Sequence, residues 1–436
     1  MELDLFKIKK VFFVGIGGIG ISAIARMMLL EGKEVHGSDM SEGEVVQELR
    51  NAGAEITIGQ GFELISEGTD LIIYTIAIES YDPDLYEKVV TSLIPARSYP
   101  EMLEVVTKGK NTIAISGTHG KTTTTAMIAK ILMDASKDPT VIIGSLLKGT
   151  NSNLISGKSN LFVVEACEYR RSFLHIHPKI LVIVNIEADH LDYYKDLSDI
   201  KDAFSEMISQ IGEGGALVCD PNHENIASII SDIKCKVINY TKYLESVPKL
   251  SVPGEHNRID AAAALAVAEE LGIKKEEAEK SVQKFQGTWR RLEKRGETRD
   301  GTILYDDYAH HPTEIKASLQ ALRELYPNKK LIIIFQSHLY SRTKSLWEGF
   351  VSAFDGADQV FILPVYAARE LFDPTVSPEK LAEAIAGRGK EARAFADFDE
   401  GIKYFNETKF GENDVIVTMG AGEAYKVAEG LELTNK

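Results

Sequence analysis

Short apolar runs recur along the chain, and most end in a polar, glycine-bearing turn followed by a helix-compatible segment. Lys10–Val14 leads into Gly15-Ile16-Gly17-Gly18-Ile19-Gly20 and then into the apolar-periodic Ile21–Leu30, closed by Gly32. Glu34–His36 reads as the next strand, with Ser38 and Asp39 at its tip. Leu71–Ile78 reads as a buried strand and Glu101–Val106 as a helix. The rhythm restarts at Asn111–Ile115, continues through a helix to Leu132, and returns in the strand-like runs Leu161–Ala166 and Ile180–Ile186. Two helical stretches follow, Asp260–Leu271 and Glu276–Lys284. Thr302–Tyr305, Lys330–Phe335, Gln359–Val365 and Asp414–Met419 are again strand-like, with helical patterns between them. Continuous rather than alternating apolar runs suit strands covered on both faces, and strand–helix alternation predicts an α/β fold with mainly parallel sheets.

Two polar, glycine-containing joins interrupt this pattern, Thr107-Lys108-Gly109-Lys110 and Lys294–Gly301. They divide the chain into 1–107, 108–296 and 297–436. A chain of 436 residues is too long for one core and suggests about three domains. The formal charge of −16 argues against nucleic acid as a main partner, although a local pocket can still bind a small anion. Cys167, Cys219 and Cys235 are odd in number and unclustered, which indicates neither a disulfide framework nor a cysteine zinc site. No run approaches the roughly 18 apolar residues of a membrane span, and the first residues lack the pattern of a signal peptide. A cytoplasmic protein is the expectation.

Chemistry enters at the glycine turns. Gly15–Gly20 is G-x-G-x-x-G between a strand and a helix, the arrangement that lays a pyrophosphate on a helix N-terminus. Asp39 stands at about the spacing of a ribose-binding acid, so the turn fits a dinucleotide dehydrogenase or a site for another nucleotide. Glycines placed only for close helix–strand packing are the alternative. The second turn, Ser116-Gly117-Thr118-His119-Gly120-Lys121-Thr122-Thr123, carries a lysine and a hydroxyl at the start of a helix. Its main-chain N–H groups, the Lys121 charge and the Thr122 hydroxyl suit a nucleoside triphosphate with Mg²⁺. Ile115 stands where the longer P-loop pattern has glycine, so this is the shorter form.

Further polar groups gather at strand tips, where open α/β sheets collect ligands. Glu165-Ala166-Cys167-Glu168 ends one strand and Asn185-Ile186-Glu187-Ala188-Asp189-His190-Leu191-Asp192 another. Glu165 and His190 could complete a Mg²⁺ sphere begun by Thr122, against the alternative of solvated acids at strand ends. His256-Asn257 opens a helical run, where asparagine can act as a cap. In the last third, Asp306–Pro312, Gln336–Thr343, Tyr366–Glu370 and Gly420–Glu423 load four successive tips.

Taken together, G-x-G-G-x-G, G-T-H-G-K-T-T-T, E-A-x-E, N-I-E-x-D-H-L-D, G-x-H-N, R-R-x-E, D-D-Y-x-H-H-P-T-E and a closing G-A-G resemble the Mur ligase family over essentially the whole chain. The resemblance implies an N-terminal Rossmann-like domain for a UDP-sugar, a central P-loop ATPase domain with a mainly parallel sheet, and a C-terminal Rossmann-like domain that brings the amino acid. It implies ATP and Mg²⁺ as cofactors, and L-alanine and UDP-N-acetylmuramate as the substrates joined, through an acyl phosphate, in peptidoglycan synthesis. It places Gly15, Gly17, Gly18, Gly20, Ser38 and Asp39 at the UDP moiety. Gly117, Thr118, His119, Gly120, Lys121, Thr122, Thr123, Asn257, Arg291 and Asp306 fall to ATP, and Thr122, Glu165 and His190 to metal. Tyr308, His310 and Arg342 fall to the amino acid, and Lys121, His190, His310 and Arg342 to catalysis. The oligomeric state stays open between a monomer and a weak homodimer.

The chain departs from the family pattern at several points. Cys167, Tyr169 and Arg170 stand where E-A-D-E-S-D is common, Asp260 where asparagine is usual, Leu339 where a second basic residue is frequent, and Glu423 where aspartate is usual. Three alternatives remain: a recycling ligase that attaches a whole tripeptide to the same sugar, a catalytically silent UDP-sugar-binding homologue, and a dehydrogenase. The last leaves the second phosphate loop unexplained.

Overall fold

The computed structural model describes residues 3–147, 152–231, 233–368, 370–429 and 431. These residues form three sheets in two compact units. Residues 1–187, 198–248 and 260–282 make up the first unit, and 188–197, 249–259 and 283–436 the second.

The first unit holds two sheets. Strands β1 (Lys10–Val14), β2 (Glu34–Asp39), β3 (Glu55–Ile58), β4 (Leu71–Tyr74) and β5 (Ala96–Ser98) form a parallel sheet in the order β3-β2-β1-β4-β5. Connections run to opposite sides of β1, so the crevice beyond its C-terminal end is a topological switch point. The predicted strand from Leu71 stops at Tyr74, and Ile78 starts a short helix instead. Ile78 extended the apolar run because it is buried with Phe12, Ile72 and Leu85.

The second sheet contains β6 (Asn111–Ser116), β7 (Thr140–Leu147), β8 (Ser152–Ile155), β9 (Leu161–Glu165), β10 (Ile180–Ile183), β11 (Ala216–Cys219) and β12 (Lys236–Asn239). Its order is β12-β11-β10-β6-β9-β7-β8, with only β8 antiparallel. β10 ends three residues before the predicted Ile186. Val184 and Ile186 are buried in the segment that leaves it, which made the run look longer.

The second unit is built on β13 (Glu293–Glu297), β14 (Ile303–Asp307), β15 (Lys330–Phe335), β16 (Gln359–Ile362), β17 (Glu391–Ala394) and β18 (Asp414–Met419). The order is β13-β14-β18-β15-β16-β17, with β13 antiparallel at the edge. The join drawn after residue 296 therefore passes through an edge strand of this sheet. Side chains alternate across β15: Leu331, Ile333 and Phe335 pack with Leu319, Phe350 and Phe354, whereas Ile332 and Ile334 pack with Phe361 and Phe405.

Helix starts follow local chemistry. Ser98 and Glu101 form a reciprocal cap with Pro100 in the first turn, so that helix begins at Tyr99, ahead of its apolar stripe. His311 and Glu314 do the same before Pro312. Asn257 does not cap: its helix already begins at Glu255, and its Nδ2 donates to the Pro253 carbonyl at 2.5 Å.

Candidate active site

The first glycine turn crosses the switch point of its sheet. Gly15 (φ 75°) and Ile16 donate their N–H groups to the Ser38 carbonyl at 2.9 and 3.1 Å. The Gly17 N–H donates to Asp39 Oδ2 at 2.8 Å, so the predicted ribose acid here braces the loop. A Cβ on Gly17 would stand 2.9 Å from that oxygen and from Val46, which is why no side chain fits. Gly18 precedes the helix Ile19–Leu30 and carries no side-chain cap. Beyond the turn lies a cavity of about 320 Å³, lined by Gly15, Gly17, Gly18, Asp39, Thr75 and Tyr81 among others.

The second turn is held by the chain that leaves β10. Thr118 N–H reaches the Asn185 carbonyl at 3.1 Å and His119 N–H reaches Asn185 Oδ1 at 2.9 Å. Asn185 Nδ2 returns to the His119 carbonyl at 3.2 Å, and Glu187 N–H donates to Thr118 Oγ1 at 2.8 Å. Gly120 (φ 83°) precedes the helix Lys121–Asp134, and a Cβ there would strike the Asp260 carboxylate. Asp260, one of the departures, also accepts from Thr124 Oγ1 at 3.1 Å.

Lys121 turns back into this loop. Its Nζ donates to the carbonyls of Gly117 (2.5 Å) and Thr118 (3.1 Å) and to Glu168 Oε1 (3.1 Å), with Glu168 Oε2 at 3.0 Å. Burial alone would lower the lysine pKa, but Glu168, Cys167 and Glu165 outweigh it and hold the ammonium charged. Thr122 Oγ1 donates to Glu165 Oε1 at 3.2 Å, while Glu165 Oε2 accepts the Gly144 N–H at 2.9 Å. Thr122 and Glu165 are thus brought together as a hydroxyl and a carboxylate, hard oxygen donors that fit Mg²⁺.

His190 belongs to the second unit, where it takes φ 53° and its N–H donates to Asp189 Oδ1 at 2.6 Å. Asp189 also accepts from Arg342 Nε and Nη2 at 3.1 and 3.0 Å, and Arg342 Nη1 lies 2.8 Å from His338 Nδ1. Burial would raise the Asp189 pKa; His190, Arg342, His310 and His311 outweigh it and hold the carboxyl well below the usual range. His310 Nδ1 stands 3.0 Å from the Tyr308 carbonyl, and the two rings meet edge-on. Tyr308, His310 and Arg342 thus lie near one another in the second unit, and Asp189, which the sequence did not single out, holds Arg342 there.

Two adjacent arginines have different surroundings. Arg290 (φ 54°) is buried, with Nε on Asp306 Oδ2 at 2.8 Å and Nη1 and Nη2 on the Gly422 and Gly420 carbonyls at 3.0 and 2.7 Å. Arg291 lies over the Tyr308 ring, 5.0 Å from its centre, and 3.9 Å from Glu314. Asp306 also accepts from Thr418 Oγ1 at 2.7 Å. Leu339 is buried at φ 69° and starts the short helix Tyr340–Ser345.

Burial pushes the His310 imidazolium down to about 4, helped by Arg342 and opposed by Glu314 and Asp189. An unfolded histidine titrates near 6.5, so between pH 6.5 and 4 the unfolded chain holds a proton that the folded chain lacks. Stability is fully present above 6.5 and falls as pH drops, by about 1.4 kcal/mol per unit for this one group. Asp307, which burial pushes up to about 6, works in the opposite direction below that pH. We expect denaturant unfolding of His310→Gln to lose less stability than wild type between pH 7 and 5. Equal losses would show that His310 does not titrate this way.

The sequence matches three family profiles in succession: "Mur ligase family, catalytic domain" over residues 10–111, "Mur ligase middle domain" over 115–251, and "Mur ligase, glutamate ligase domain" over 290–422. A UDP-N-acetylmuramate–L-alanine ligase from Clostridium kluyveri is 40% identical across 98% of this chain and 99% of its own. The chain belongs to the Mur ligase family. A second such ligase, from Caldanaerobacter subterraneus subsp. tengcongensis, is 38% identical over the whole of both chains. Among solved structures, the UDP-N-acetylmuramate–alanine ligase of Thermotoga maritima superposes with a TM-score of 0.79 at 26% identity, covering 96% of this Mur ligase and 97% of its own chain. A murein peptide ligase from Psychrobacter arcticus shares the fold, with a TM-score of 0.72 at 22% identity and coverage of 97% and 98%. Among the described residues, no helix is long and apolar enough to cross a membrane.

Proposed function

We propose that this Mur ligase joins L-alanine to the lactyl carboxylate of UDP-N-acetylmuramate at the expense of ATP, in peptidoglycan precursor synthesis. The observation that carries the reading is two phosphate-type turns on neighbouring sheets of one unit. One opens a nucleotide-sized cavity; the other presents Lys121 beside the Thr122–Glu165 pair. Near-full-length similarity to L-alanine ligases supplies the substrates.

In this reading the substrate carboxylate oxygen attacks the γ-phosphorus and ADP leaves. The alanine amine, having lost a proton, then attacks the acyl carbon of the acyl phosphate, and inorganic phosphate leaves as the amide forms. The Gly117–Thr123 turn grips the triphosphate, and Lys121 neutralises charge that spreads over the transferring phosphoryl oxygens. Thr122 and Glu165 would hold Mg²⁺, which would supply positive charge to offset the charge of the transferring phosphoryl group. Gly15–Gly20 with Ser38 holds the UDP end, and Asp39 fixes the loop in place.

In the second unit, Arg342 suits the alanine carboxylate because a guanidinium can bind it bidentately. Two of its nitrogens already serve Asp189, so that grip requires Asp189 to yield or share. His310, held neutral by burial, can accept a hydrogen bond from the alanine amine, whereas its lowered pKa makes it a weak base for the ammonium proton. Asn257, Arg291 and Asp306 are proposed for the nucleotide from the family resemblance, Asp306 acting through Arg290.

The test supplies ATP, Mg²⁺ and UDP-N-acetylmuramate and follows phosphate release with single amino acids and with the tripeptide. Release with L-alanine is the expected result. Release with tripeptide alone would select the recycling ligase, and release with none would leave a silent sugar-nucleotide binder.

A further inference from the structure

Arg170 stands at a position where this chain leaves the family pattern, and the reaction steps above give it no task. It lies in a short segment in which Glu165 meets Thr122 and Glu168 meets Lys121. From there the Arg170 Nη1 crosses to the turn after β4, donating to the Ile76 carbonyl at 3.0 Å and pairing with Glu79 Oε2 at 2.9 Å. Thr75 on that turn and Tyr81 at the end of the short helix that follows it line the cavity beyond Gly15. One guanidinium thus ties a wall of the sugar-nucleotide cavity to the segment that holds the lysine of the phosphorylating loop.

The backbone is arranged for this reach. Arg170 (φ 53°, ψ 30°) and Arg171 (φ 56°, ψ 24°) are consecutive left-handed residues, a conformation that side chains other than glycine adopt only when their surroundings enforce it. Arg171 pairs with Asp199 at 2.8 Å and Glu206 at 3.1 Å on the helix Leu197–Ser209. Arg171 anchors the segment to the second sheet's side of the unit, and Arg170 extends to the first.

We infer that Arg170 is a positioning residue, which through Glu79 and the Ile76 carbonyl sets the distance between the bound sugar nucleotide and the γ-phosphate. The inference rests on the ligase reading, because only a substrate that spans both sites needs that distance fixed. A displacement of about 1 Å between reacting groups can cost roughly 10²-fold in rate. The Arg170–Glu79 pair is partly exposed, at 25% and 31%, so it should contribute little to overall stability.

The experiment compares Arg170→Ala, Glu79→Ala, the double variant and Arg170→Lys with wild type. Each alanine variant should lower kcat about tenfold or more, with the UDP-N-acetylmuramate Kd within about twofold and Tm nearly unchanged. The double variant should be no slower than the slower single, because both remove one link. Arg170→Lys should recover part of the rate. Unchanged kcat, additive losses, or a Kd that rises in step with the fall in kcat would each overturn the inference. Hydrogen–deuterium exchange of the Thr75–Tyr81 segment reads the link without turnover and should quicken in Arg170→Ala. Faster exchange in a protein without alanine-dependent phosphate release would sink the ligase reading and leave the link standing; unaltered exchange would sink the link itself.

Discussion

Lys121→Ala is expected to lower alanine-dependent phosphate release by roughly 10²–10³-fold, while UDP-N-acetylmuramate binding stays within about twofold. The rate falls because the Nζ charge that would meet the transferring phosphoryl group is gone, and loop N–H groups alone cannot replace it. Binding survives because the cavity beyond Gly15 is built from residues of the first sheet and its loops. The same variant carries a second effect. Glu168 is 3% exposed and pairs with Lys121, so removing the lysine takes a counter-charge from a buried carboxylate. Breaking such a pair costs about 3 kcal/mol or more. Lys121→Ala/Glu168→Gln should therefore regain much of the lost stability and none of the lost turnover. Calorimetric binding, a phosphate assay and thermal unfolding on the same preparations separate the two effects. Loss of sugar-nucleotide binding in the single variant would contradict the division of labour between the two turns.

The sequence pattern marked the strands that packing covers on both faces. β1, β15 and β18 coincide with the apolar runs Lys10–Val14, Lys330–Phe335 and Asp414–Met419, because a central parallel strand must be apolar throughout. β12 and β17 stand at sheet edges and carry exposed or half-exposed side chains, so they leave no such trace. β8 runs antiparallel to β7 within an otherwise parallel sheet, which the strand–helix rhythm does not announce.

The site divides along similar lines. Gly15 and Gly120 were legible because a left-handed turn favours glycine, and Lys121 and Thr122 because their spacing from that turn is fixed. Partners set by backbone conformation were not. Nothing in Trp289-Arg290-Arg291-Leu292 distinguishes the two arginines; φ values of 54° at Arg290 and 44° at Leu292 accompany the burial of Arg290. Asp189 was likewise overshadowed by His190, its neighbour, although Asp189 is the one that holds Arg342.

Those two arginines yield the second large effect. Arg290→Ala should destabilise the second unit by about 3–5 kcal/mol, since it leaves Asp306 buried without its counter-charge. The carbonyls of Gly420 and Gly422 lose their donors as well, and the guanidinium leaves the rings of Tyr308 and Tyr425, whose centres lie 5.4 and 5.0 Å away. For a unit of this size the loss corresponds to a fall in Tm of roughly 10 °C. Asp306→Asn should also destabilise, and Arg290→Ala/Asp306→Asn should cost less than the sum of the singles, because the double variant leaves no uncompensated charge. The comparison also tests what Asp306 does for the nucleotide. If it acts by holding Arg290 and the closing glycine turn, stability and the KM for ATP shift together in both single variants. A raised KM for ATP in Asp306→Asn, with Tm unchanged, would instead mean that the carboxylate meets the nucleotide directly.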